Sequence, residues 1–383
     1  MRILIIPDKF KGTLTAHQAA RAIARGWRSA RPKDSLDLLP MSDGGDGFGQ
    51  VLSGLLGAKP RTVLTLDAAH EPRRALWWWH AATRLAIIES AKVNGLALMR
   101  PKKLHPFQLD TFGLGKILRA AERNAARECL VGIGGSATND GGFGLARSLG
   151  WRFTDNAGTE LAEWWQLRDL AQIHTPANPL KLRATVAVDV ANPLLGLEGC
   201  SRIYGPQKGL REFDFAEKCL ARMASRLKQQ YNIGCANVPG AGAAGGLGFG
   251  LMAFAGAKVE SGFELFARHA QLEKRIRAAD VVITGEGAMD LQTRMGKGVG
   301  QVATLCAKLA VPCIALAGTI DDSVKHSGIF SQAAALTEIA TPTRARAEAA
   351  HFLQLLSAQI ARKADKTPLQ LKQPINDRPT VLS

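Results

Sequence analysis

A run of thirteen residues, GIGGSATNDGGFG (132–144), combines six glycines with small polar side chains. Glycine is entropically costly to order, so this density is typical of positive φ angles or of a ligand held close to the main chain. The run follows an apolar stretch and precedes a helical one, which is where exposed amides and hydroxyls form an anion site. A flexible surface turn is the simpler alternative. The candidate phosphate-binding residues are Gly134, Gly135, Ser136, Thr138 and Asn139.

A second glycine-rich run, PGAGAAGGLGFG (239–250), contains a literal G-x-G-x-x-G. The preceding NIGCANV is not an apolar strand, which argues against a dinucleotide-binding turn. The first run fits only the looser G-x-G-x-x-A pattern, and no acidic residue follows it at the required distance. We therefore interpret Gly242, Gly245 and Gly246 as a helix start that is closely approached by a ligand or by the first glycine-rich run.

Two further loops carry carboxylates. In MSDGGDG (41–47), Asp43 and Asp46 are separated only by glycines, which suits a Mg²⁺ site, a contact to a substrate hydroxyl, or capping of the next helix. In GEGAMDLQTRMGKG (285–298), Glu286, Asp290 and Lys297 suit metal-bridged phosphate, or a catalytic base with its electrostatic partner. A surface salt bridge is the alternative for the second loop.

The loop PDKFKG (7–12) places Lys9 and Lys11 just ahead of a predicted helix. Positive charge is unfavourable at a helix N-terminus, and an anionic ligand would remove that cost. A solvated turn is the alternative. No G-x-x-x-x-G-K-[ST] motif and no protein-kinase motif set occurs in the sequence, so a phosphotransferase here would need another kind of phosphate loop.

The elements that position these loops form an α/β pattern. Apolar strands over 3–6, 36–41, 280–290 and 311–319 alternate with helices, and Thr15 with Gln18 predicts a helix start near residue 16. Such strands belong in a parallel sheet covered on both faces. We predict a discontinuous, doubly wound, Rossmann-like domain from 1–59 and 269–362. Closely spaced strands predict an inserted α/β domain with a mixed sheet over 60–268, and residues 363–383 a loosely ordered tail.

Composition narrows the function classes. The chain has 383 residues, 46% hydrophobic and 21% charged, and its longest apolar run near the start is too short for a signal peptide or a membrane span, so we expect a cytoplasmic protein. The formal charge of +16 allows a nucleic-acid surface or an anionic substrate. The six scattered cysteines favour buried, reduced thiols.

Seven blocks occur in an order that resembles the bacterial class I glycerate kinases across nearly the whole chain. They are PDKFKGTLTA, PMSDGGDG, GIGGSATNDGG, DVANPLLG, GPQKG, PGAGAAGGLG and ITGEGAMDLQT with a later GKG. The resemblance implies phosphorylation of glycerate by ATP with Mg²⁺, commonly D-glycerate to 2-phosphoglycerate, in a two-domain α/β fold. It implies neither a nucleic-acid nor a membrane partner and leaves the oligomeric state open.

The resemblance also suggests roles for particular residues. Asp189, at the end of a predicted strand in DVANPLLG, is the expected catalytic base or metal contact, although a lone carboxylate there could simply cap a turn. Lys208 in GPQKG joins the two lysines of the first loop as a group for the substrate carboxylate. The remaining expected catalytic residues are Asp43, Asp290 and Lys297, the nucleotide site includes Glu286, and Mg²⁺ is assigned to Asp43, Asp46 and Asp290.

This chain departs from the family pattern in places. Lys9 stands where serine is usual, Leu291 departs from R-I-D-S-Q-T, and Leu114 and Lys116 depart from S-Y-G-T-G-E. These changes leave phosphoryl transfer intact but allow 3-phosphoglycerate as the product or another small hydroxy acid as the substrate. A nicotinamide-dependent dehydrogenase and a nucleic-acid-binding module are the alternatives from other classes.

Overall fold

The computed structural model describes residues 1–99, 104–294 and 298–363. The chain divides into two compact units, one formed by Met1–Ser42 with the chain from Phe266 onward, the other by Asp43–Leu265. The predicted tail, 363–383, lies outside the described residues apart from Lys363.

The first unit begins with β1 (Arg2–Pro7), α1 (Ala16–Ala30) and β2 (Ser35–Leu38). The start of α1 agrees with the prediction, since Thr15 and Gln18 form a reciprocal capping box. Its arginines at 21, 25 and 28 are exposed, whereas Trp27 and every alanine of α1 except Ala30 are buried, so the basic stripe is a solvated helix face.

The second unit starts with α2 (Phe48–Leu56), β3 (Lys59–Leu66), β4 (Pro72–His80) and β5 (Leu85–Glu89). The chain continues through α3 (Ala91–Asn94), α4 (Leu96–Met99), α5 (Phe112–Arg123), β6 (Glu128–Gly132), α6 (Phe143–Ser148), β7 (Arg152–Thr154) and β8 (Gln172–His174). It ends with β9 (Arg183–Ala187), α7 (Cys200–Tyr204), α8 (Phe213–Tyr231), α9 (Ala243–Ala255), β10 (Lys258–Glu260) and α10 (Gly262–Ala270), which crosses into the first unit.

In the described residues of the second unit, six strands form a mixed sheet in the order β10-β9-β6-β5-β4-β3. The contacts β3–β4 and β4–β5 are antiparallel and the others are parallel. The helix α2 belongs to this unit because a Cβ on Gly49 would lie 1.9 Å from the Trp78 ring. The unit therefore begins at residue 43, whereas the predicted domain boundary follows residue 59.

After α10 the first unit resumes with α11 (Leu272–Ala278), β11 (Val281–Met289), α12 (Leu291–Arg294) and α13 (Gly298–Lys308). It continues with β12 (Cys313–Ile320), α14 (Asp322–Lys325), β13 (Gln332–Ala335), α15 (Pro342–Ala347) and α16 (Ala349–Lys363). Within its described part, five parallel strands lie in the order β13-β12-β11-β1-β2.

Both faces of this parallel sheet are covered. Ile3 and Ile5 share a core with residues of α1 and α16, and Leu4 and Ile6, which alternate with them along β1, are also fully buried. Because β1 pairs with β11 on one side and with β2 on the other, the two segments of the chain build one sheet. The predicted fold class, a parallel-sheet α/β domain with an inserted mixed α/β domain, is confirmed.

Candidate active site

In the second unit, the carboxyl ends of β6 and β9 meet the loop that precedes α2. Gly134 N donates to Gly44 O (3.1 Å), and a Cβ on Gly44 would lie 2.8 Å from Ala187 O. Only glycine allows this approach at Gly44, where φ is +94°. The packing brings Asp43 and Asp46 to the edge of the sheet where ligands of α/β proteins bind.

The acidic loop also contacts the first glycine-rich run. A Cβ on Gly135, where φ is +77°, would lie 2.3 Å from Asp46 Oδ1, so the main chain of one loop lies against the carboxylate of the other. The helix α2 is not capped by its own N-cap residue, Gly47. Instead Glu89, buried at the end of β5, accepts from Gly47 N and Gly49 N, both at 3.1 Å.

Asp189 lies two residues beyond the end of β9. Its Oδ1 accepts from Ser261 Oγ (2.7 Å) and from Phe263 N (3.5 Å). Its Oδ2 is buried and has no hydrogen-bond partner among the described residues. Burial raises the pKa of Asp189, the Ser261 hydrogen bond partly opposes this shift, and the charge of Asp43 adds to it. Two carboxylates from distant segments thus lie close together here, one with an unoccupied oxygen.

Lys208 is buried and fixed to the glycine-rich run. Its Nζ donates to Thr138 O (2.6 Å), and no carboxylate of the described residues lies within ion-pair distance of it. A Cβ on Gly245, where φ is +71°, would lie 2.0 Å from Thr138 O and 2.7 Å from Lys208 Nζ. Burial lowers the pKa of Lys208 to about 8, while Cys200 and Asp140 act in the opposite direction.

The side chains of the first glycine-rich run are held inside the unit. Ser136 Oγ and Thr138 Oγ1 are 2.9 Å apart, and Asn139 Nδ2 donates to Ser201 Oγ (2.8 Å). Asp140, which is fully buried, accepts from Thr111 and from backbone amides at the start of α6. Burial raises the pKa of Asp140 to about 6. These contacts fix the shape of the run.

The two glycine-rich runs pack directly on one another. Gly141 N donates to Gly245 O (3.1 Å), and a Cβ on Gly246 would lie 2.8 Å from the Cα of Gly141. Gly242 N donates to Asn192 O (2.9 Å), which joins the second run to the segment that follows Asp189. The sequence left open whether the helix start at Gly242, Gly245 and Gly246 is approached by a ligand or by the first glycine-rich run. The structure shows the approach by the first run.

In the first unit, the loop that follows β1 lies against the C-terminal half of β11. Asp8 N donates to Gly285 O (2.8 Å), and a Cβ on Gly287 would lie 2.9 Å from Lys11 N. Thr293 Oγ1 donates to Glu286 Oε1 (2.8 Å). The structure therefore groups most of the candidate residues of this unit: Lys9, Lys11, Glu286 and Asp290. Lys297 lies outside the described residues.

Sequence reasoning missed Glu89 and Ser261. Glu89 had a signal, because a charged residue that ends the buried run LAIIE needs partners. Ser261 had none, since it lies 72 residues from Asp189 and only the pairing of β10 with β9 brings them together.

The described residues contain neither a separate group of metal ligands nor a helix that could span a membrane. No three His, Cys, Asp or Glu side chains among them are grouped as a metal site of their own. None of the helices they form has both the length and the apolar character needed to cross a membrane.

Comparison with known proteins gives a consistent result. A family model described as the glycerate kinase family matches residues 3–365. A glycerate kinase of Halalkalibacterium halodurans is 38% identical over 83% of this chain and 85% of its own length. The glycerate 2-kinase of Escherichia coli K12 is 36% identical over 89% of this chain and 92% of its own length. A crystal structure assigned as glycerate kinase 2 from Salmonella typhimurium LT2 superposes with a TM-score of 0.81 at 31% identity, covering 96% of this chain and 98% of the other.

Proposed function

Because the chain belongs to the glycerate kinase family, we propose that it transfers the γ-phosphoryl group of ATP to glycerate. We infer that the reaction is D-glycerate to 2-phosphoglycerate, which is supported by the similarity to the relative named glycerate 2-kinase. We place the enzyme in the cytoplasm, with glycerate and ATP as its partners and no nucleic acid or membrane.

The observation that carries the proposal is the buried Lys208 ammonium, whose one hydrogen-bond acceptor in the described structure is Thr138 O. A buried cation without a counter-ion is unfavourable by several kcal/mol, and a bound anion relieves that cost. Glycerate carries a carboxylate and ATP carries phosphates. We assign Lys208 to the glycerate carboxylate, and Lys9 and Lys11 are proposed substrate contacts on their sequence position alone.

Asp189 is the proposed catalytic base. Its place just beyond the carboxyl end of β9, beside Asp43, and its raised pKa suit a carboxylate that accepts the proton of the substrate hydroxyl. In the proposed step, the glycerate hydroxyl oxygen attacks the γ-phosphorus and the bond from that phosphorus to the ADP oxygen breaks. The hydroxyl proton passes to the Asp189 carboxylate.

The carboxylates near Asp189 fit the Mg²⁺ that kinases use. Magnesium is usually held by one or two carboxylates together with substrate phosphates, so a closed protein cage is not required. Asp43 would hold the ion, with Asp46 beside it, and Asp290 is a proposed ligand on its sequence position alone. When bound, the ion would neutralise charge that develops on the phosphates.

The nucleotide phosphates are assigned to the two glycine-rich runs, in which Gly135, Gly245 and Gly246 have positive φ angles. Glu286 is assigned to the nucleotide site, and Lys297 to the transferring phosphoryl group. The remaining proposed contacts of the nucleotide are Gly134, Ser136, Thr138, Asn139 and Gly242.

The test is incubation with ATP, Mg²⁺ and each glycerate isomer, with ³¹P NMR to distinguish 2- from 3-phosphoglycerate. We expect 2-phosphoglycerate from D-glycerate. Formation of 3-phosphoglycerate would correct the regiochemistry, and turnover of a different hydroxy acid in place of glycerate would correct the substrate. Absence of ADP formation with every acceptor would contradict the proposed function.

Variants test the assigned roles. Asp189→Asn should lower kcat by about 10²- to 10⁴-fold and Asp43→Asn by about 10²- to 10³-fold, with far-UV circular dichroism unchanged. Asp169→Asn is the matched control, because this exposed carboxylate of the same unit pairs only with Arg168 among the described residues. Wild-type kcat in both test variants would reject the assignments.

A further inference from the structure

The segment from the end of β10 to the start of α10, residues 260–263, contacts Asp43 and Asp189 of the proposed site. Glu260 O accepts from Val188 N (2.9 Å), and Ser261 Oγ donates to Asp189 Oδ1 (2.7 Å). Pairing of β10 with β9 sets this alignment, since Glu260 lies opposite Ala187 in the parallel register. The segment is therefore carried to Asp189 by the sheet itself.

The hydroxyl of Ser261 is held in one direction. Glu264 N donates to Ser261 Oγ (3.3 Å), which occupies the oxygen as an acceptor and leaves its proton for Asp189. Phe263 N approaches the same carboxylate oxygen at 3.5 Å. The Ser261 and Phe263 hydrogen bonds are made to Oδ1, whereas Oδ2 is buried against Gly262. The segment thus distinguishes the two oxygens of Asp189.

Gly262 allows the segment to lie against both acidic loops. A Cβ there would lie 2.2 Å from Asp43 O and 2.7 Å from Asp189 Oδ2. The backbone oxygen of Asp43 cannot move without moving its loop, so a side chain at 262 would push the two loops apart. Glycine is required at 262 because there is no room for a side chain, and not because of the backbone conformation.

We propose that Ser261 is a positioning residue, which holds Oδ1 and so fixes the plane of the Asp189 carboxylate for removal of the proton from the substrate hydroxyl. The inference rests on the proposed function, in which Asp189 is the base. Ser261 touches neither substrate nor the reacting atoms in this assignment. It acts by removing the freedom of the carboxylate to rotate about its Cβ–Cγ bond.

This role predicts a particular kinetic effect. A misdirected base slows the chemical step without weakening substrate binding, because the proposed carboxylate and phosphate contacts are made by other residues. Ser261→Ala should therefore lower kcat by about 10- to 100-fold and leave the KM for glycerate and for ATP within about twofold. Ser261→Thr keeps a hydroxyl on the same carbon and should restore most of kcat.

The experiment compares Ser261→Ala, Ser261→Thr, Asp189→Asn and the double variant Ser261→Ala with Asp189→Asn, in the full-length protein. The double variant should be no slower than Asp189→Asn alone, because a positioning residue has nothing to position once the base is gone. Ser357→Ala is the matched control. Its buried hydroxyl donates to Ile23 O (2.8 Å) in the first unit, so its loss should lower stability and leave kcat unchanged.

The outcomes distinguish the positioning role of Ser261 from the role of Asp189 as the base. If Asp189→Asn loses activity and Ser261→Ala keeps wild-type kcat, the positioning role is overturned and the proposed function stands. If Asp189→Asn keeps wild-type kcat, the base assignment fails and the positioning role fails with it. Additive losses in the double variant, or no rescue by threonine, also overturn the positioning role.

If Ser261→Ala does not fold, a second substitution tests the same role. Ser261→Cys keeps a similar volume while its thiol is a weak hydrogen-bond donor, so it should lower kcat as the alanine variant is expected to do. Wild-type kcat in a folded Ser261→Cys protein overturns the inference.

Discussion

Lys208 is the residue at which burial and charge conflict most directly. Its ammonium has a pKa of about 8 because burial disfavours the charged form. A pKa lowered on folding means that the charged lysine costs stability below the folded pKa. The cost falls as pH rises from about 8 toward the ordinary lysine value, where the side chain is neutral in both states.

Lys208→Met removes that charge and provides the first prediction. At pH 7 the ligand-free variant should have a Tm equal to or above that of the wild type, since a buried cation is replaced by an apolar side chain of similar length. Its KM for glycerate should rise about 10- to 100-fold, because a hydrogen bond to a charged group is lost. Calorimetry and initial rates provide the two measurements.

The control for this variant is Lys228→Met, which removes an exposed lysine that donates to Asn232 Oδ1 within the same unit. We expect little change in either quantity there. A lower Tm with an unchanged KM in Lys208→Met would show that the lysine serves only the fold.

At the scale of elements, the start of α9 shows how glycine allows two loops to touch. Ala244, Gly245 and Gly246 all have positive φ angles, so the first turn of the helix is left-handed. Gly245 also has no room for a side chain against Thr138 O. Backbone conformation and packing therefore both require glycine at 245.

Gly245→Ala should cost more than about 3 kcal/mol of unfolding free energy, since a Cβ in this position meets backbone that cannot yield. Gly158→Ala is the matched control, because φ is +81° there but nothing lies within 4 Å of the added atom. Its cost should be about 1 kcal/mol. Equal costs in urea denaturation would mean that the two runs do not pack as described.

The helix α1 is tied to the following turn by Asp34. This carboxylate accepts from Trp27 Nε1 (2.9 Å) and Arg31 Nε (2.6 Å). Burial alone would raise the pKa of Asp34, but these hydrogen bonds outweigh it and lower the pKa to about 2. A lowered carboxyl pKa contributes stability that is present above the unfolded value of about 4 and is lost as pH falls toward 2.

Asp34→Asn should therefore destabilise the protein by about 2 kcal/mol at pH 7, and the difference from wild type should shrink steadily between pH 4 and pH 2. Urea denaturation across this pH range measures it. Asp37→Asn, which breaks an exposed pair with Arg275, is the control and should cost less than about 1 kcal/mol. A difference independent of pH would contradict the explanation.

At the scale of the whole molecule, the second unit has the properties of an independent domain. It contains its own mixed sheet and core, and its two ends are neighbours, since Gly262 lies against Asp43 O. The excised fragment 43–265 should therefore fold alone, with a cooperative thermal transition and dispersed NMR signals. We expect it to lack kinase activity, because Glu286 and Lys297 are outside it. A fragment without cooperative melting would contradict this prediction.

Much of the fold could be predicted because its signals are local. Strands that are apolar throughout indicate a covered parallel sheet, and Thr15 with Gln18 marks the start of α1 by contacts three residues apart. The limits of the compact units were harder to predict. Residues 36–56 look like a further strand-loop-helix repeat, yet the helix belongs to the second unit, where Gly49 packs on Trp78.

The features of the site also divide into those that could be predicted from the sequence and those that could not. The sequence by itself determined which loops carry glycine, carboxylates and lysines, and the order of seven blocks determined the family. Only the tertiary structure placed Lys208 under Thr138, 70 residues away, and Ser261 on Asp189, 72 residues away. Residue type and spacing are properties of the chain, whereas burial of a charge and choice of its partner depend on strand order and register. Those are decided when the whole sheet forms.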